Sequence, residues 1–194
     1  MTSTLPGMKP ITNVVGFDDA PFAHGHRGDV RVVGAVCART RLDGVLSGKV
    51  RRDGVNATDA LIELVTGSKF REHIRAVLLQ GIALAGFNVV DIHRLAAELR
   101  VPVVVAVRRA PRMHLVEHAL LQRTPGGARK WKLIQAAGPL ERLGALWVQR
   151  IGIERSAAAA LLAATTLHGN LPEPLRLAHL IAGGVTTGES RGRA

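Results

Sequence analysis

The chain of 194 residues contains one cysteine, no tyrosine, and only four Phe and two Trp as its aromatic residues. A single thiol, Cys37, cannot form an internal disulfide, which excludes a disulfide scaffold and fits the cytoplasm or a secreted protein without disulfides. No apolar run approaches the roughly 20 residues that span a bilayer, so we expect no membrane segment. Residues 1–7 lack a basic start followed by an apolar stretch, and we therefore expect a cytoplasmic protein without a signal peptide.

Lysine is also scarce, since 5 of the 26 basic residues are Lys and the remaining 21 are Arg. The formal net charge is +11, and the charge is uneven. Residues 100–132 contain eight basic side chains and one acidic one, and residues 27–52 contain seven basic and two acidic ones. Arg binds phosphate with two parallel hydrogen bonds, so this pattern indicates DNA or RNA as a partner. An Arg-rich but merely solvated surface is the alternative, and the few aromatics argue against a stacking platform for single strands.

The order of hydrophobic segments predicts a mixed sheet. Three strands are expected at about 11–18, 30–37 and 42–50, the first of them apolar and β-branched. A loop rich in Pro, Gly and His (20–28) follows the first, and the tight connection over 39–41 favours an antiparallel hairpin between the other two. A helix from about residue 57, a strand over 75–79, a helix over 88–99 and a buried strand over 101–107 follow. Beyond them we expect a helix over 111–122, a loop over 124–130, strands over 131–136 and 144–149, and helices over 156–167 and 172–182.

This order predicts the ribonuclease H-like fold, an α/β class in which a three-strand antiparallel meander and parallel strands form one mixed sheet with helices on both faces. The length fits a single domain over 1–194, with 1–9 and 186–194 as flexible ends.

Four segments resemble an archaeal family known as domain of unknown function number 99, which is itself similar to endonuclease V. They are residues 16–22 (GFDDAPF), 53–58 (DGVNAT), 81–91 (GIALAGFNVVD) and 172–182 (PEPLRLAHLIA). The similarity extends from about Lys9 to Ala194, and its third and fourth segments are long and specific. It implies the ribonuclease H-like fold and metal-dependent cleavage of phosphodiester bonds in DNA or RNA.

The resemblance also implies a Mg²⁺ (or Mn²⁺) site that activates water and neutralises charge at the scissile phosphate. Asp18 matches the carboxylate at the end of the first strand, and Asp53 lies near the second carboxylate, so these two are the expected catalytic residues. Asp19 and Asp91 complete the expected metal set. Gln80 stands where endonuclease V has an Asp, and nothing here resembles its Pro-Tyr-Ile-Pro wedge, so inosine recognition is not implied.

Each carboxylate also has a structural interpretation. Neighbouring side chains of a strand point to opposite faces, so Asp18 and Asp19 face one site together only if the strand bends. Asp53 precedes Gly54 and is also typical of a turn. Asp91 lies at a helix start, where a carboxylate stabilises the helix dipole. Gly81 and His24 are expected to line the site, because each follows one of its strands.

Six basic residues are expected to hold the nucleic-acid backbone: Arg51, Arg52, Arg108, Arg109, Arg129 and Lys130. Two other functions stay open. A non-catalytic binding protein on the same fold predicts salt-dependent binding without cleavage. A small-molecule enzyme predicts a deep apolar pocket and weak binding to polyanions.

Overall fold

The computed structural model describes residues 11–190, so the predicted flexible segment 1–9 lies outside the described residues. The strands are β1 (Asn13–Asp19), β2 (Asp29–Ala38), β3 (Arg41–Arg51), β4 (Ala76–Gln80), β5 (Ala83–Leu84), β6 (Asn88–Val89), β7 (Val103–Val107), β8 (Glu141–Leu143) and β9 (Leu146–Ile151). The helices are α1 (Ala57–Thr66), α2 (Ile92–Leu99), α3 (Met113–Arg123), α4 (Gly127–Ala136), α5 (Arg155–Thr165) and α6 (Glu173–Thr187).

Seven of the strands form one mixed sheet in the order β3-β2-β1-β4-β7-β9-β8. The first three strands are an antiparallel meander, as predicted, with a two-residue connection between β2 and β3. β4 pairs parallel with β1 and with β7, while β9 pairs antiparallel with β7. The short strands β5 and β6 form a separate hairpin after β4.

Alternation along the central strands divides the core between the two faces of the sheet. Val15 and Phe17 of β1 belong to one apolar cluster, which also contains residues of α1 and α2. Val14 belongs to the other, together with Leu161 of α5 and Leu175 of α6. Helices therefore cover both faces, which confirms the predicted fold class.

Helix α6 crosses the central strand β1 at Gly16. A Cβ atom on Gly16 would lie 2.5 Å from the carbonyl carbon of Pro174 and 2.7 Å from the nitrogen of Leu175. Real Cβ atoms do not approach so closely, so the helix packs at this depth because residue 16 has no side chain.

Helix α4 corrects two predictions, a loop over 124–130 and a strand over 131–136. Gly126 adopts a left-handed conformation (φ 67°) and turns the chain, and α4 begins at once. A Cβ on Gly127 would lie 1.8 Å from the carbonyl oxygen of Leu120, so only glycine fits there. The buried face of α4 includes Lys130 and Ile134. Because Lys130 is charged, the apolar residues of this segment do not show the spacing of an amphipathic helix.

Two helix boundaries also differ from expectation. The helix predicted over 88–99 begins only at Ile92, because Asn88 and Val89 pair in the β5–β6 hairpin. The last helix extends to Thr187 instead of ending near residue 182. It therefore includes the first residues of the predicted flexible end, and Ser190 donates a hydrogen bond to the carbonyl of Leu180.

Cys37 lies in β2 and is completely buried. Burial raises the pKa of its thiol to about 12, and the carboxylates of Asp43 and Glu173 act in the same direction. The thiol is therefore a core side chain, as expected. Within residues 11–190 no helix is long and apolar enough to cross a membrane.

We expect Gly16→Ala to lower the free energy of unfolding by about 1–3 kcal/mol, because the added methyl group must displace the backbone of α6. Urea unfolding measures this change. Gly25→Ala is the control, since nothing lies within 4 Å of a Cβ at that position. Equal stabilities of the two variants would contradict the tight packing of α6 on β1.

Candidate active site at the carboxyl edge of the sheet

The parallel strands β1, β4 and β7 all end at one edge of the sheet, and polar residues follow each of them. Asp18 and Asp19 end β1, Gln80 ends β4, and Arg108 comes directly after β7. Arg51, the last residue of β3, lies at the same edge because it pairs with the first residue of β2. The edge thus has carboxylates at its centre and arginines on both sides.

Asp18 is bonded to a histidine that sequence reasoning did not include in the site. Its Oδ2 lies 2.8 Å from Nδ1 of His179 on α6, and Asp18 is 6% exposed. The hydrogen bond with Asp18 raises the pKa of His179, whereas burial and the charge of Arg108 oppose this rise. The only sequence signal for His179 was its place in the specific segment 172–182, one helical turn after Arg176.

Asp19 faces the opposite side of β1 and accepts a hydrogen bond from the backbone nitrogen of Ala85 at 3.1 Å. Burial and the neighbouring charge of Asp18 raise the pKa of Asp19 to about 6, although the Ala85 hydrogen bond lowers it. Two carboxylates of one strand end therefore repel each other in a poorly solvated place. Ala85 has φ 48°, a left-handed conformation that is unusual for alanine and is held within the turn of the β5–β6 hairpin.

Gln80 lies next to Asp18 across the sheet, one step beyond the registered pair Phe17–Leu79. Paired residues of parallel strands point to the same face, so Gln80 and Asp18 both face the side covered by α6. The Oε1 atom of Gln80 is buried and has no hydrogen-bond partner among residues 11–190. An acceptor in this state is costly, and a cation would satisfy it.

Asp53, the second expected ligand, stabilises a turn through hydrogen bonds of its side chain and backbone. Its Oδ1 accepts a hydrogen bond from the nitrogen of Phe87 at 2.8 Å, and its own nitrogen donates to the carbonyl of Ala85 at 2.9 Å. Its Oδ2 lies 3.3 Å from Nε of Arg52. Asp53 has φ 52°, so these contacts maintain a left-handed residue at the end of β3. The structural interpretation of Asp53 accounts for all of these contacts.

The segments 53–58 and 81–91 are joined by further side-chain bonds. The buried Asn88 accepts from the nitrogen of Ala57 and donates to the carbonyl of Arg51 and to Oδ1 of Asn56. Asp91 caps α2, since its Oδ1 accepts from the nitrogen of Arg94 at 3.0 Å. The carboxylate of Asp91 thus has the structural role that was the alternative to metal binding, and two of the four segments of the resemblance form one scaffold.

The structure corrects two of the six basic residues expected to bind nucleic acid. Lys130 is 2% exposed and donates to the backbone carbonyl of Asp53, so it is inaccessible to a polyanion. Arg52 donates to the carbonyls of His24 and His26 and lies 5.4 Å from the ring centre of Phe22. It therefore fixes the loop 20–28 to the end of β3. The other four are exposed: Arg51, Arg108, Arg109 and Arg129.

His24 and Gly81 occupy different places at this edge. His24 is exposed and lines a polar groove of about 470 Å³ together with Gly25, His26, Arg27, Arg51, Arg52 and Asp53. Gly81 follows Gln80 with φ 88°, which turns the chain away from the sheet. The small-molecule alternative predicts a deep apolar pocket, whereas this groove is polar.

The donor set fits a divalent cation, but less well than a site of three carboxylates. Within residues 11–190 no group of three or more His, Cys, Asp or Glu side chains is placed to hold a metal ion. The oxygen donors at the edge are Asp18, Asp19 and the unpartnered amide oxygen of Gln80. Mg²⁺ prefers oxygen ligands and commonly uses one or two carboxylates.

The sheet order, the strand directions and the edge of acidic and basic groups define an α/β protein of the ribonuclease H-like class. Endonuclease V structures share this fold. The Bacillus subtilis enzyme has a TM-score of 0.58 at 14% identity, with 95% of this chain and 86% of that chain covered. Ciona intestinalis endonuclease V, solved with DNA containing an inosine followed by a ribo-adenosine, has a TM-score of 0.53 at 12% identity, with coverages of 86% and 82%.

The chain belongs to the family described as Endonuclease dU, whose profile matches residues 10–186. A UPF0215 protein of Deinococcus radiodurans is 55% identical, with 94% of this chain and 93% of the relative covered. A protein of unknown function from Archaeoglobus fulgidus has a TM-score of 0.84 at 37% identity, covering 90% of this chain and 98% of that one. Relatives therefore occur beyond the archaea of the resemblance, and its similarity to endonuclease V is confirmed at the level of the fold.

Asp19→Asn should stabilise the protein at neutral pH. The pKa of Asp19 rises from 3.8 to about 6 on folding, so its ionisation destabilises the folded state increasingly as pH rises from about 4 to above 6. We expect the variant to be about 3 kcal/mol more stable at pH 7 and nearly equal to the wild type at about pH 3. Urea unfolding in EDTA at several pH values measures this. Glu72→Gln, at a side chain 87% exposed, is the control, and a pH-independent difference at Asp19 would contradict the assignment.

Two substitutions of Asp53 distinguish the contribution of its hydrogen bond from that of its charge. Asp53→Ala removes the acceptor of the Phe87 nitrogen and puts alanine at a left-handed position, so we expect a loss of about 1–3 kcal/mol in unfolding free energy. Asp53→Asn keeps an oxygen acceptor and tolerates this conformation, so we expect little change. Chemical denaturation compares the two. Equal losses would show that the Asp53 charge, rather than its hydrogen bond, supports the turn.

Proposed function

We propose that the chain is a metal-dependent endonuclease that hydrolyses phosphodiester bonds in DNA, with DNA containing deoxyuridine as the first substrate to test. The observation that carries the proposal is the carboxyl edge of the sheet, where the acidic pair Asp18–Asp19 lies between exposed arginines. A polyanion held across this edge would lie over the one acidic centre that the arginines flank. The family name Endonuclease dU supports the choice of substrate.

In this proposal Asp18 and Gln80, which face the same side of the sheet, hold Mg²⁺ or Mn²⁺. Asp19 faces the opposite side of β1 and adds negative charge nearby without joining the ligand set. The ion would supply Lewis-acid chemistry, that is, neutralisation of phosphate charge and activation of water. Its charge would also relieve the repulsion between the two carboxylates and give the buried Oε1 of Gln80 a partner. Asp53 and Asp91 are left out of this set, because their contacts are those of a turn and a helix cap.

His179 positions Asp18. A hydrogen bond of 2.8 Å between Nδ1 and Oδ2 fixes one carboxylate oxygen and leaves Oδ1 for other contacts. The raised pKa of His179 favours the protonated ring, whose Nδ1–H donates to Oδ2 of Asp18. This arrangement resembles the outer partners that orient metal ligands in proteins, whose loss lowers metal affinity or activity by about 10–100-fold.

The backbone of the substrate would be held on two sides of the acidic pair. On one side are Arg51 and the groove with His24 and Arg27, and on the other are Arg108 and Arg109. Arg129 lies on α4, next to Lys130, which donates to the carbonyl of Asp53. Exposed guanidinium groups bind phosphate oxygens without reading bases, so this part of the proposal concerns affinity and not specificity.

One observation favours a second candidate, a nucleic-acid-binding protein without catalysis. Gln80 supplies a neutral amide where a carboxylate would bind the cation more strongly, and no three-membered His, Cys, Asp or Glu metal group occurs within residues 11–190. Such a protein would keep both basic sides of the edge and would bind DNA with strong salt dependence.

Cleavage of labelled DNA and RNA, each with and without deoxyuridine or uridine at one position, tests the proposal in Mg²⁺ and in Mn²⁺. We expect metal-dependent cleavage that Asp18→Asn lowers by more than about 100-fold and His179→Gln by about 10–100-fold. Asp53→Asn should retain activity, because it preserves the turn.

Two results would redirect the interpretation. Tight, salt-sensitive binding without cleavage in any metal would support the non-catalytic candidate. Loss of cleavage in Asp53→Asn with unchanged stability would restore Asp53 to the metal set, as the resemblance to endonuclease V implied.

A further inference from the structure

The helices α3 and α4 form a basic hairpin, defined here as residues 112–136. Four of its cations are exposed: Arg112, Arg123, Arg129 and Lys132. Its one acidic residue is the half-buried Glu117. None of the ion pairs within residues 11–190 includes any of these four cations, whereas Arg94, Arg150 and Arg176 are each paired with a carboxylate. These four charges are therefore not neutralised by a carboxylate of the described part of the chain.

The basic hairpin is held firmly against the candidate active site. Leu120 and Ile134 pack with Val89 of the β5–β6 hairpin in one apolar cluster. The buried ammonium group of Lys130 donates to the carbonyl of Asp53. The nitrogen of Asp53 donates to the carbonyl of Ala85, and the nitrogen of Ala85 donates to Asp19. A buried ammonium is costly unless it is bonded, so this contact fixes where α4 lies relative to the edge. The exposed cations thus have a defined place beside the acidic pair.

The length of α3 sets the span of the basic hairpin. The hairpin begins five residues after β7, and the 11 residues of α3 span about 16 Å before the turn at Gly126. That length corresponds to about five base pairs of B-form DNA at about 3.4 Å per pair. Arg123 lies at the far end of α3, and Arg129 lies early in α4, close to the same turn.

We propose that the exposed surface of the basic hairpin binds the phosphate backbone of double-stranded DNA that flanks the cleaved nucleotide. This inference rests on the proposed function and adds to it a duplex substrate with a minimum flank length. The hairpin also exposes Leu115 (51%) and Leu121 (46%), which would suit a protein partner. The excess of unpaired cations favours DNA, and the experiment distinguishes the two.

The test measures binding, in EDTA so that no cleavage occurs, to duplexes with a central deoxyuridine and flanks of about 4 or about 15 base pairs on each side. The test variant carries Arg123→Gln, Arg129→Gln and Lys132→Gln. The control carries Arg39→Gln, Arg71→Gln and Arg75→Gln, which remove three exposed cations near the opposite edge of the sheet. Thermal unfolding confirms that both variants are folded.

With long flanks we expect the test variant to bind at least about tenfold more weakly than wild type at low salt. The slope of log K against log salt should become shallower by about 2–3, because each phosphate contact contributes about 0.9. With short flanks the test variant should bind like wild type, and the control variant should bind like wild type with both duplexes.

Equal binding of the wild type and the test variant to long duplexes would overturn this inference and leave the proposed endonuclease intact, with the hairpin surface assigned to another partner. An equal loss on short and long flanks would also overturn it, because the hairpin would then contact DNA at the site itself. Failure of the wild type to bind any duplex would overturn both proposals.

Discussion

The depth at which α6 packs on β1 determines the candidate active site. Gly16 removes the one side chain that would separate the helix from the strand, and His179 therefore lies close enough to bond Asp18 two residues further along β1. Asp18 is almost entirely buried, and His179 provides its carboxylate with a hydrogen-bond partner there. The catalytic proposal thus depends on an apolar packing constraint in the centre of the sheet.

The specific sequence segments serve two different purposes. Residues 172–182 supply both the packing surface and His179, so this segment belongs to the site. Residues 53–58 and 81–91 bond mainly to each other, through Asp53, Asn56 and Asn88. These two segments also contact the site and α4, because Ala85 donates to Asp19 and the carbonyl of Asp53 accepts from Lys130. A motif that marks a family can therefore be a scaffold for catalytic groups without containing them.

Much of the fold could be predicted from local patterns. Strands β1, β2 and β7 are rich in β-branched residues and β4 is apolar, and the order of these strands places Asp18 and Gln80 at one edge. The hydrogen bonds of Asp53 could not be predicted, because its partner Phe87 lies 34 positions away and contributes only a backbone nitrogen. Lys130 looked like a surface cation because nothing in the sequence shows that a carbonyl lies beside it. His179 required knowledge of the helix crossing, which depends on tertiary packing.

The state of Cys37 has a practical consequence for studies of this protein in solution. Its thiol is fully buried in β2 and its pKa is raised to about 12, so little reactive thiolate forms near neutral pH. The chain has no other cysteine. A cysteine introduced at an exposed position would thus be the single site that a maleimide dye labels. The native protein already has the background that site-specific fluorescence measurements otherwise require mutagenesis to create.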